Sequence, residues 1–267
     1  MTSIAFLGAG NIAQAIMGGL IENGFAPEHI IACDPVKACT DRAREKGIMI
    51  AGNNDEAVER SDVILLCVKP NIVTALLDAI RVNLENKLLI SVAAGITTSS
   101  MAASVPAGTA IVRCMPNTPA LVQTGMTGMF ATKDVASTQK SAAEHILSAV
   151  GKALWVENES DLDAVTAVSG SGPAYFFLLM ESMINAARAQ GLNAEVSHQL
   201  VLQTALGAAR MAAESPLDPA TLRKQVTSPG GTTQAAIEHF QGKGFEKIVD
   251  GAVDAARIRS VELSDED

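Results

Sequence analysis

The sequence predicts an α/β domain with a doubly wound, mostly parallel sheet, followed by an all-α domain. Over residues 1–160, short apolar runs alternate with helix-like segments, the order expected of a parallel sheet with helices on both faces. From residue 161 the strand-like runs disappear, and long helix-like segments rich in small residues continue towards residue 267. We therefore predict two domains, 1–160 and 161–267.

The predicted strands of the first domain are short apolar runs, most of them bounded by glycine or a polar residue. They lie at 4–7, 30–33, 62–68, 88–92, 110–113, 126–131 and 153–156. Helices are predicted between them: one closed by Gly24, one at 38–46, one at 55–60, one capped by Asn71 and ending near 84, and one at 137–150.

The second domain is predicted to contain five helices, separated by glycine and proline. They lie at 173–190, 194–215, 219–226, 232–241 and 245–263, with residues 264–267 as a solvated acidic tail. One surface of the second of these helices carries small side chains: Ala205, Gly207, Ala208, Ala209, Ala212 and Ala213. Such a surface favours close helix packing within or between subunits, and we predict a homodimer built through this domain.

A glycine-rich turn follows the first strand, where Gly8, Gly10 and Ala13 form the pattern G-x-G-x-x-A. The first glycine of this pattern permits a tight turn, the second lets the backbone approach a pyrophosphate, and the small third residue allows close helix packing. The helix N-terminus beyond it favours an anion. Asp34 ends the second strand at about the ~20-residue spacing expected of a ribose-binding acid. The context predicts dinucleotide binding rather than a purely structural turn.

Composition excludes several other classes of function. The 267 residues carry a formal net charge of -9, which argues against a nucleic-acid partner. The longest clear apolar run, 174–180, is far shorter than the ~20 residues of a membrane helix, and residues 1–7 do not resemble a signal peptide. A cytoplasmic location without membrane contact is expected. The four cysteines lack C-x-x-C spacing, so free thiols are expected and no metal site.

Two segments of the helical half stand out. Residues 169–175 (SGSGPAY) form a small polar loop before a proline at a helix start. Residues 227–233 (TSPGGTT) combine uncovered glycine N–H groups with the hydroxyls of Thr232 and Thr233 where a helix begins. The second segment predicts an anion site, with an ordinary Ser/Thr helix cap as the alternative.

Six motifs occur in one order along nearly the whole chain: GAGNIA (8–13), VKP (68–70), AAG (93–95), RCMPNTPA (113–120), SGSGPAY (169–175) and TSPGGTT (227–233). In this combination the chain closely resembles the pyrroline-5-carboxylate reductase family. The resemblance implies reduction of Δ1-pyrroline-5-carboxylate to L-proline by NADPH or NADH, the last step of proline biosynthesis. It also implies a Rossmann domain joined to a helical dimerisation domain, and assembly into rings of dimers.

The resemblance also assigns roles to individual residues. It implies contacts with the cofactor for Gly8, Ala9, Gly10, Asn11, Ile12 and Ala13 at the pyrophosphate, Asp34 and Asn54 at the adenosine ribose, Val68, Lys69 and Pro70 along the cofactor, and Ala93, Ala94 and Gly95 at the nicotinamide. It implies contacts with the substrate for Glu159, Gln225, Gly231, Thr232 and Thr233. Thr233 is the candidate catalytic residue, because its hydroxyl would meet the ring nitrogen.

Asp34 bears on the choice of cofactor. A carboxylate there can bind both ribose hydroxyls of NADH but would repel the 2′-phosphate of NADPH. Two like charges ~4 Å apart repel by about 1 kcal/mol in water and by ~4 kcal/mol at an intermediate dielectric. Lys37 could offset part of this repulsion. The sequence therefore predicts relatively good use of NADH.

Two other functions compete with the imine reductase. The first is a β-hydroxyacid dehydrogenase, which would place a catalytic lysine on a helix of its second domain. No lysine lies between Lys152 and Lys224, so the group needed for that chemistry is missing. The second is a non-catalytic dinucleotide sensor, which would have no use for a carboxylate site in the helical half.

Overall fold

The computed structural model describes residues 2–265, which form two compact units. The first unit comprises the chain up to Ser171 together with the residues from Ala256 onward, and the second comprises Gly172–Ala255. The sequence predicts a domain boundary between residues 160 and 161, but the α/β unit of the structure extends to Ser171 and also includes the C-terminal end of the last helix.

The first unit contains an eight-stranded sheet within the described residues. Its strands are β1 (Ile4–Leu7), β2 (Ile30–Cys33), β3 (Met49–Ile50), β4 (Val63–Leu66), β5 (Leu88–Ser91), β6 (Ala110–Met115), β7 (Gly125–Ala131) and β8 (Gly151–Trp155). They lie in the order β3-β2-β1-β4-β5-β6-β7-β8, and β6 and β7 form the one antiparallel pair among them. The predicted doubly wound, mostly parallel sheet is confirmed.

Apolar residues fill both faces of this sheet. Ile4 and Phe6 of β1 belong to one buried cluster, while the alternating Ala5 and Leu7 belong to another. Successive strand residues point to opposite faces, so a strand covered on both sides needs an unbroken apolar run. This requirement explains why these strands could be recognised as continuous runs rather than as alternating patterns.

The helices of the first unit are α1 (Asn11–Glu22), α2 (Lys37–Glu45), α3 (Asn54–Glu59), α4 (Val73–Ile80), α5 (Thr98–Ala103), α6 (Ser137–Ser148) and α7 (Asp161–Val165). The second unit contains α8 (Gly172–Ala189), α9 (Ala194–Glu214), α10 (Pro219–Gln225), α11 (Thr232–Gly242) and the first part of α12 (Phe245–Asp265). Each of the five predicted helices of the second half is present. Within residues 2–265, none of the helices combines the length and apolar character needed to cross a bilayer.

Several local features differ from the prediction. The short elements β3, α5 and α7 were not predicted, because each is too brief to show a clear period. The prediction that Asn71 caps a helix is wrong: Asn71 lies within a 3-10 turn, Pro70–Ile72, and α4 begins at Val73. Ser264 belongs to α12 rather than to an acidic tail, and residues 266–267 of that predicted tail lie outside the described residues.

Candidate active site

Gly8 makes the turn after β1 possible. Its φ of +95° lies in the left-handed region, and its N–H donates to the Cys33 carbonyl over 2.8 Å. A Cβ at this position would lie 2.7 Å from the carbonyl carbon and oxygen of Cys67, just beyond β4. Only glycine fits both the conformation and the space. The turn therefore lies against the end of β4, where the strand order of the sheet reverses and α/β proteins of this type bind ligands.

Gly10 has a different environment. It is the N-cap of α1 in an extended conformation, and nothing lies within 4 Å of the position that its Cβ would occupy. The N–H groups of the first turn of α1 have no partner within the helix, and that turn carries no acidic side chain. Open space beside unpaired N–H groups at a helix N-terminus fits a pyrophosphate. Ala13 is fully buried, as expected where the helix packs on the sheet.

Asp34 joins the end of β2 to the glycine-rich turn. One carboxylate oxygen accepts the Ala9 N–H and the other accepts the Val36 N–H, both over 2.7 Å. An ionised carboxylate has about four acceptor positions, so capacity remains for ribose hydroxyls. The Lys37 ammonium forms an exposed ion pair with Asp41 over 2.5 Å. Asp34 thus supports the turn in addition to its predicted role at the ribose.

Gln14 is a buried residue near the turn that the sequence analysis missed. Its side-chain amide donates to the carbonyls of Ala9 and Cys39, over 3.2 and 3.0 Å, and its oxygen accepts from Lys46 over 3.1 Å. These bonds connect the glycine-rich turn, α1 and α2. The signal in the sequence was a glutamine among the small and apolar residues of α1, because a polar side chain buried at such a position requires hydrogen-bond partners.

The other predicted cofactor residues follow neighbouring strands at the same edge of the sheet. Val68, Lys69 and Pro70 follow β4, and the turn formed by Ala93, Ala94 and Gly95 follows β5. Asn54 is the first residue of α3, beyond β3, and its neighbour Asn53 caps that helix by accepting the Glu56 N–H. The carboxyl ends of parallel strands share one edge, so the structure brings the turns after β1, β2, β3, β4 and β5 together there.

Glu159 belongs to a partly buried polar cluster in the first unit. One carboxylate oxygen accepts from Arg113 Nη1 over 2.8 Å and from the Thr98 N–H over 2.7 Å. The other accepts the Thr98 hydroxyl. A contact between Glu159 and the substrate stays a prediction. The signal for the ion pair was Arg113 itself, since a charge within an apolar strand is rarely buried without a partner.

The TSPGGTT segment forms the start of α11 in the second unit. Gly231 is the N-cap, and no side chain caps the helix. Gly230, at a φ of +71°, donates its N–H to Gln234 Oε1 over 2.7 Å. Among the described residues, the hydroxyls of Thr232 and Thr233 have no hydrogen-bond partner. The alternative of an ordinary Ser/Thr cap is wrong. Unpaired N–H groups and hydroxyls therefore share one helix start, which suits a carboxylate.

Two further predicted features concern Gln225 and the cysteines. Gln225 is the exposed last residue of α10. The four cysteines are free, and burial raises the pKa of the Cys114 thiol. In the part of the chain that the structure describes, no group of three or more His, Cys, Asp or Glu residues could hold a metal ion.

Comparison with known proteins is consistent with this arrangement. Residues 159–263 match the family model for pyrroline-5-carboxylate reductase dimerisation, and residues 3–95 match a model described as NADP oxidoreductase, coenzyme F420-dependent. The pyrroline-5-carboxylate reductase of Pseudomonas aeruginosa is 48% identical, over 98% of this chain and 97% of that protein. The chain belongs to the pyrroline-5-carboxylate reductase family.

Solved structures agree with this assignment. A pyrroline-5-carboxylate reductase from Coxiella burnetii superimposes with a TM-score of 0.96 at 39% identity, covering 98% of both chains. The Plasmodium falciparum enzyme, with NADP bound, gives 0.87 at 32% identity, again covering 98% of both chains. As a pyrroline-5-carboxylate reductase family member, the chain is an NAD(P)-dependent oxidoreductase acting on a C=N bond. Family membership thus favours the imine reductase over the dehydrogenase and the sensor.

Proposed function

We propose that this chain reduces Δ1-pyrroline-5-carboxylate to L-proline with NADPH or NADH, as the last step of proline biosynthesis. The uncapped start of α11 carries the proposal, because a dinucleotide domain alone does not define a substrate. A small carboxylate matches the unpaired groups there. A helix N-terminus contributes up to ~2 kcal/mol to a partly buried anion, so direct hydrogen bonds must supply most of the affinity.

The cofactor would occupy the carboxyl edge of the sheet. In this proposal the N–H groups from Gly10 to Ala13 hold the pyrophosphate, while the remaining acceptor positions of Asp34 and the side chain of Asn54 hold the ribose. The turns at 68–70 and 93–95 flank the rest of the dinucleotide. The support is the open, uncapped start of α1 and the clustering of these turns at one edge.

The reaction needs little from acid–base side chains. The substrate is already an imine, and protonation of its nitrogen makes the imine carbon, C2 of the pyrroline ring, an electrophile. When bound, the reduced nicotinamide supplies the hydride that adds to this carbon, which becomes C5 of proline, and the nitrogen retains its proton in the amine product. Gly231 and Thr232 would hold the substrate carboxylate, Thr233 would hydrogen-bond to the ring nitrogen, and Gln225 would line the pocket. The protein would act mainly by orienting the substrate and excluding water.

We also propose a division of roles and an assembly. Residues 1–160 would bind the dinucleotide, and residues 161–267 would bind the substrate and form a homodimer that associates into a ring of dimers. The match to the dimerisation model supports the dimer, as do exposed apolar side chains on α8 and α9: Phe176, Phe177, Leu178, Leu200 and Leu206. Patches of this kind mark association surfaces.

A cytoplasmic location is proposed on the basis of the four free thiols, which are typical of reducing compartments. Subcellular fractionation with antibody detection tests it. Recovery of the protein in an oxidising compartment would contradict it.

Steady-state assays of NADPH and NADH oxidation with pyrroline-5-carboxylate test the proposed reaction. Thr233→Val should lower kcat/KM by roughly tenfold to a hundredfold, the value of a hydrogen bond to a charged group. Thr221→Val is the matched control, because the Thr221 hydroxyl bonds to Asp218 rather than pointing to the proposed substrate. The absence of turnover with either cofactor, in folded protein that still binds dinucleotide, would overturn the proposal.

A further inference from the structure

Arg113 is a buried charge on an inner strand of the sheet. It lies on β6 among apolar residues, with 7% of its surface exposed. Its guanidinium forms an ion pair with Glu159 over 2.8 Å, and Nη2 lies 3.5 Å from the Ser264 hydroxyl. An ion pair with one buried partner contributes little net stability, since desolvation offsets the attraction, so we interpret this pair as fixing geometry.

Glu159 connects Arg113 to α5 through hydrogen bonds. Thr98, the first residue of α5, donates both its N–H and its hydroxyl to the Glu159 carboxylate. Thr98 follows Gly95 by three residues, so it lies at the end of the short connection between the 93–95 turn and α5. The carboxylate therefore holds the start of α5, to which the 93–95 turn is connected, against β6.

The last turns of α12 support the same turn from another direction. Gly95 has a φ of +82°, and a Cβ there would lie 3.3 Å from the Leu263 carbonyl oxygen. The Ser260 hydroxyl donates to Asp163 over 2.7 Å, which ties this part of α12 to α7. The 93–95 turn thus lies between the Arg113–Glu159 pair and the C-terminal part of α12, within the first unit.

We propose that Arg113 and Glu159 are a positioning pair for hydride transfer, acting through Thr98 on the 93–95 turn. The inference rests on the proposed function, in which this turn flanks the nicotinamide. Neither side chain needs to contact the substrate: the pair holds in place the backbone that orients the cofactor. Loss of the hydrogen bond between Thr98 and Glu159 should slow hydride transfer, while the affinity for the adenosine end of the dinucleotide should stay unchanged.

Thr98→Val tests the link without leaving Arg113 buried and unpaired. It removes the hydroxyl bond to Glu159, keeps the N–H bond and preserves side-chain shape. We expect kcat to fall about tenfold, the lower end for a hydrogen bond to a charged group. The Kd for NADP⁺ should stay within about twofold of wild type, and the primary isotope effect with deuterated NADPH should increase because hydride transfer limits kcat more strongly. Thr98→Ser, which retains both donors, should restore kcat to within about twofold of wild type.

Thr97→Ala is the matched control for a merely structural effect. The Thr97 side chain caps α5 by accepting the Ser100 N–H over 3.1 Å, and its other side-chain hydrogen bond is to Ser99 rather than to Glu159. Its loss should lower the Tm and leave kcat unchanged. An unchanged kcat and isotope effect in Thr98→Val, or an equal fall in kcat in Thr97→Ala, would overturn the inference alone. A wild-type enzyme without turnover would overturn the proposed function, and the inference with it.

Discussion

At the scale of single residues, Gly8 and Gly10 of the fingerprint have different structural roles. Gly8 is required by the protein itself, since its backbone is left-handed and Cys67 occupies the space of a side chain. Gly10 has a φ of -70° and open surroundings, so the fold does not require glycine there. The motif therefore combines one residue selected for folding with one that leaves the backbone open to a ligand.

Alanine substitutions should separate these two roles. Gly8→Ala should lower the free energy of unfolding by about 2 kcal/mol or more, through backbone strain and the clash with Cys67. Gly10→Ala should lower it by less than about 1 kcal/mol, the cost of alanine at an N-cap, yet raise the Kd for NADPH about tenfold. Urea unfolding and fluorescence titration measure the two quantities. Equal stability losses would show that the contrast is wrong.

Asp34 has a structural role at the glycine-rich turn and a predicted role in cofactor choice, and kinetics with the two cofactors can separate them. Asp34→Ser removes the carboxylate that repels a 2′-phosphate, so the ratio of kcat/KM for NADPH to that for NADH should rise about tenfold or more. The substitution also removes the bonds to Ala9 and Val36. Because both cofactors share the pyrophosphate, damage to the turn should affect them equally and cancel in the ratio. An unchanged ratio would show that Asp34 does not govern cofactor choice.

At the scale of elements, the start of α11 is shaped by a side chain from within the helix. Gln234 accepts the Gly230 N–H, which closes the glycine-rich segment while the N–H groups and hydroxyls of the first turn stay unpaired. The geometry on which the proposed carboxylate site depends is therefore formed by residues within this one element.

Gln234→Ala should weaken substrate binding more than catalysis. Loss of one neutral hydrogen bond of about 1 kcal/mol should raise the KM for pyrroline-5-carboxylate roughly fivefold, with a smaller change in kcat. Gln199→Ala is the matched control, because Gln199 bonds to Glu195 within α9. Steady-state kinetics at saturating cofactor measure both variants. Equal KM values for the two would contradict a role for Gln234.

At the scale of the whole molecule, the distribution of exposed apolar residues predicts the assembly. Leu206→Asp places a charge on the exposed apolar surface of α9, which should shift the protein from dimer to monomer. Val82 is 84% exposed in the first unit, and Val82→Asp should leave the mass unchanged. Light scattering coupled to size-exclusion chromatography distinguishes these results. A dimeric Leu206→Asp variant would place the interface elsewhere.

Local patterns in the sequence were sufficient for much of the architecture. The strands β1 and β2, the glycine-rich turn and the five helices of the second half follow from apolar runs, glycine placement and helical periodicity. These features depend on residues close together in the chain. The resemblance of six motifs supplied the family, which the comparisons then established.

Contacts between distant residues could be decided only by the tertiary structure. The bonds of Asp34 to Ala9, of Gln14 to Cys39, and of Glu159 to Arg113 and Thr98 join residues 25 to 61 positions apart. No local period records such pairs, because a side chain meets its partner only after the strands have been ordered in the sheet. The sequence by itself determined most of the elements and the family of the chain; the packing of those elements decided which polar groups hold the turns in place.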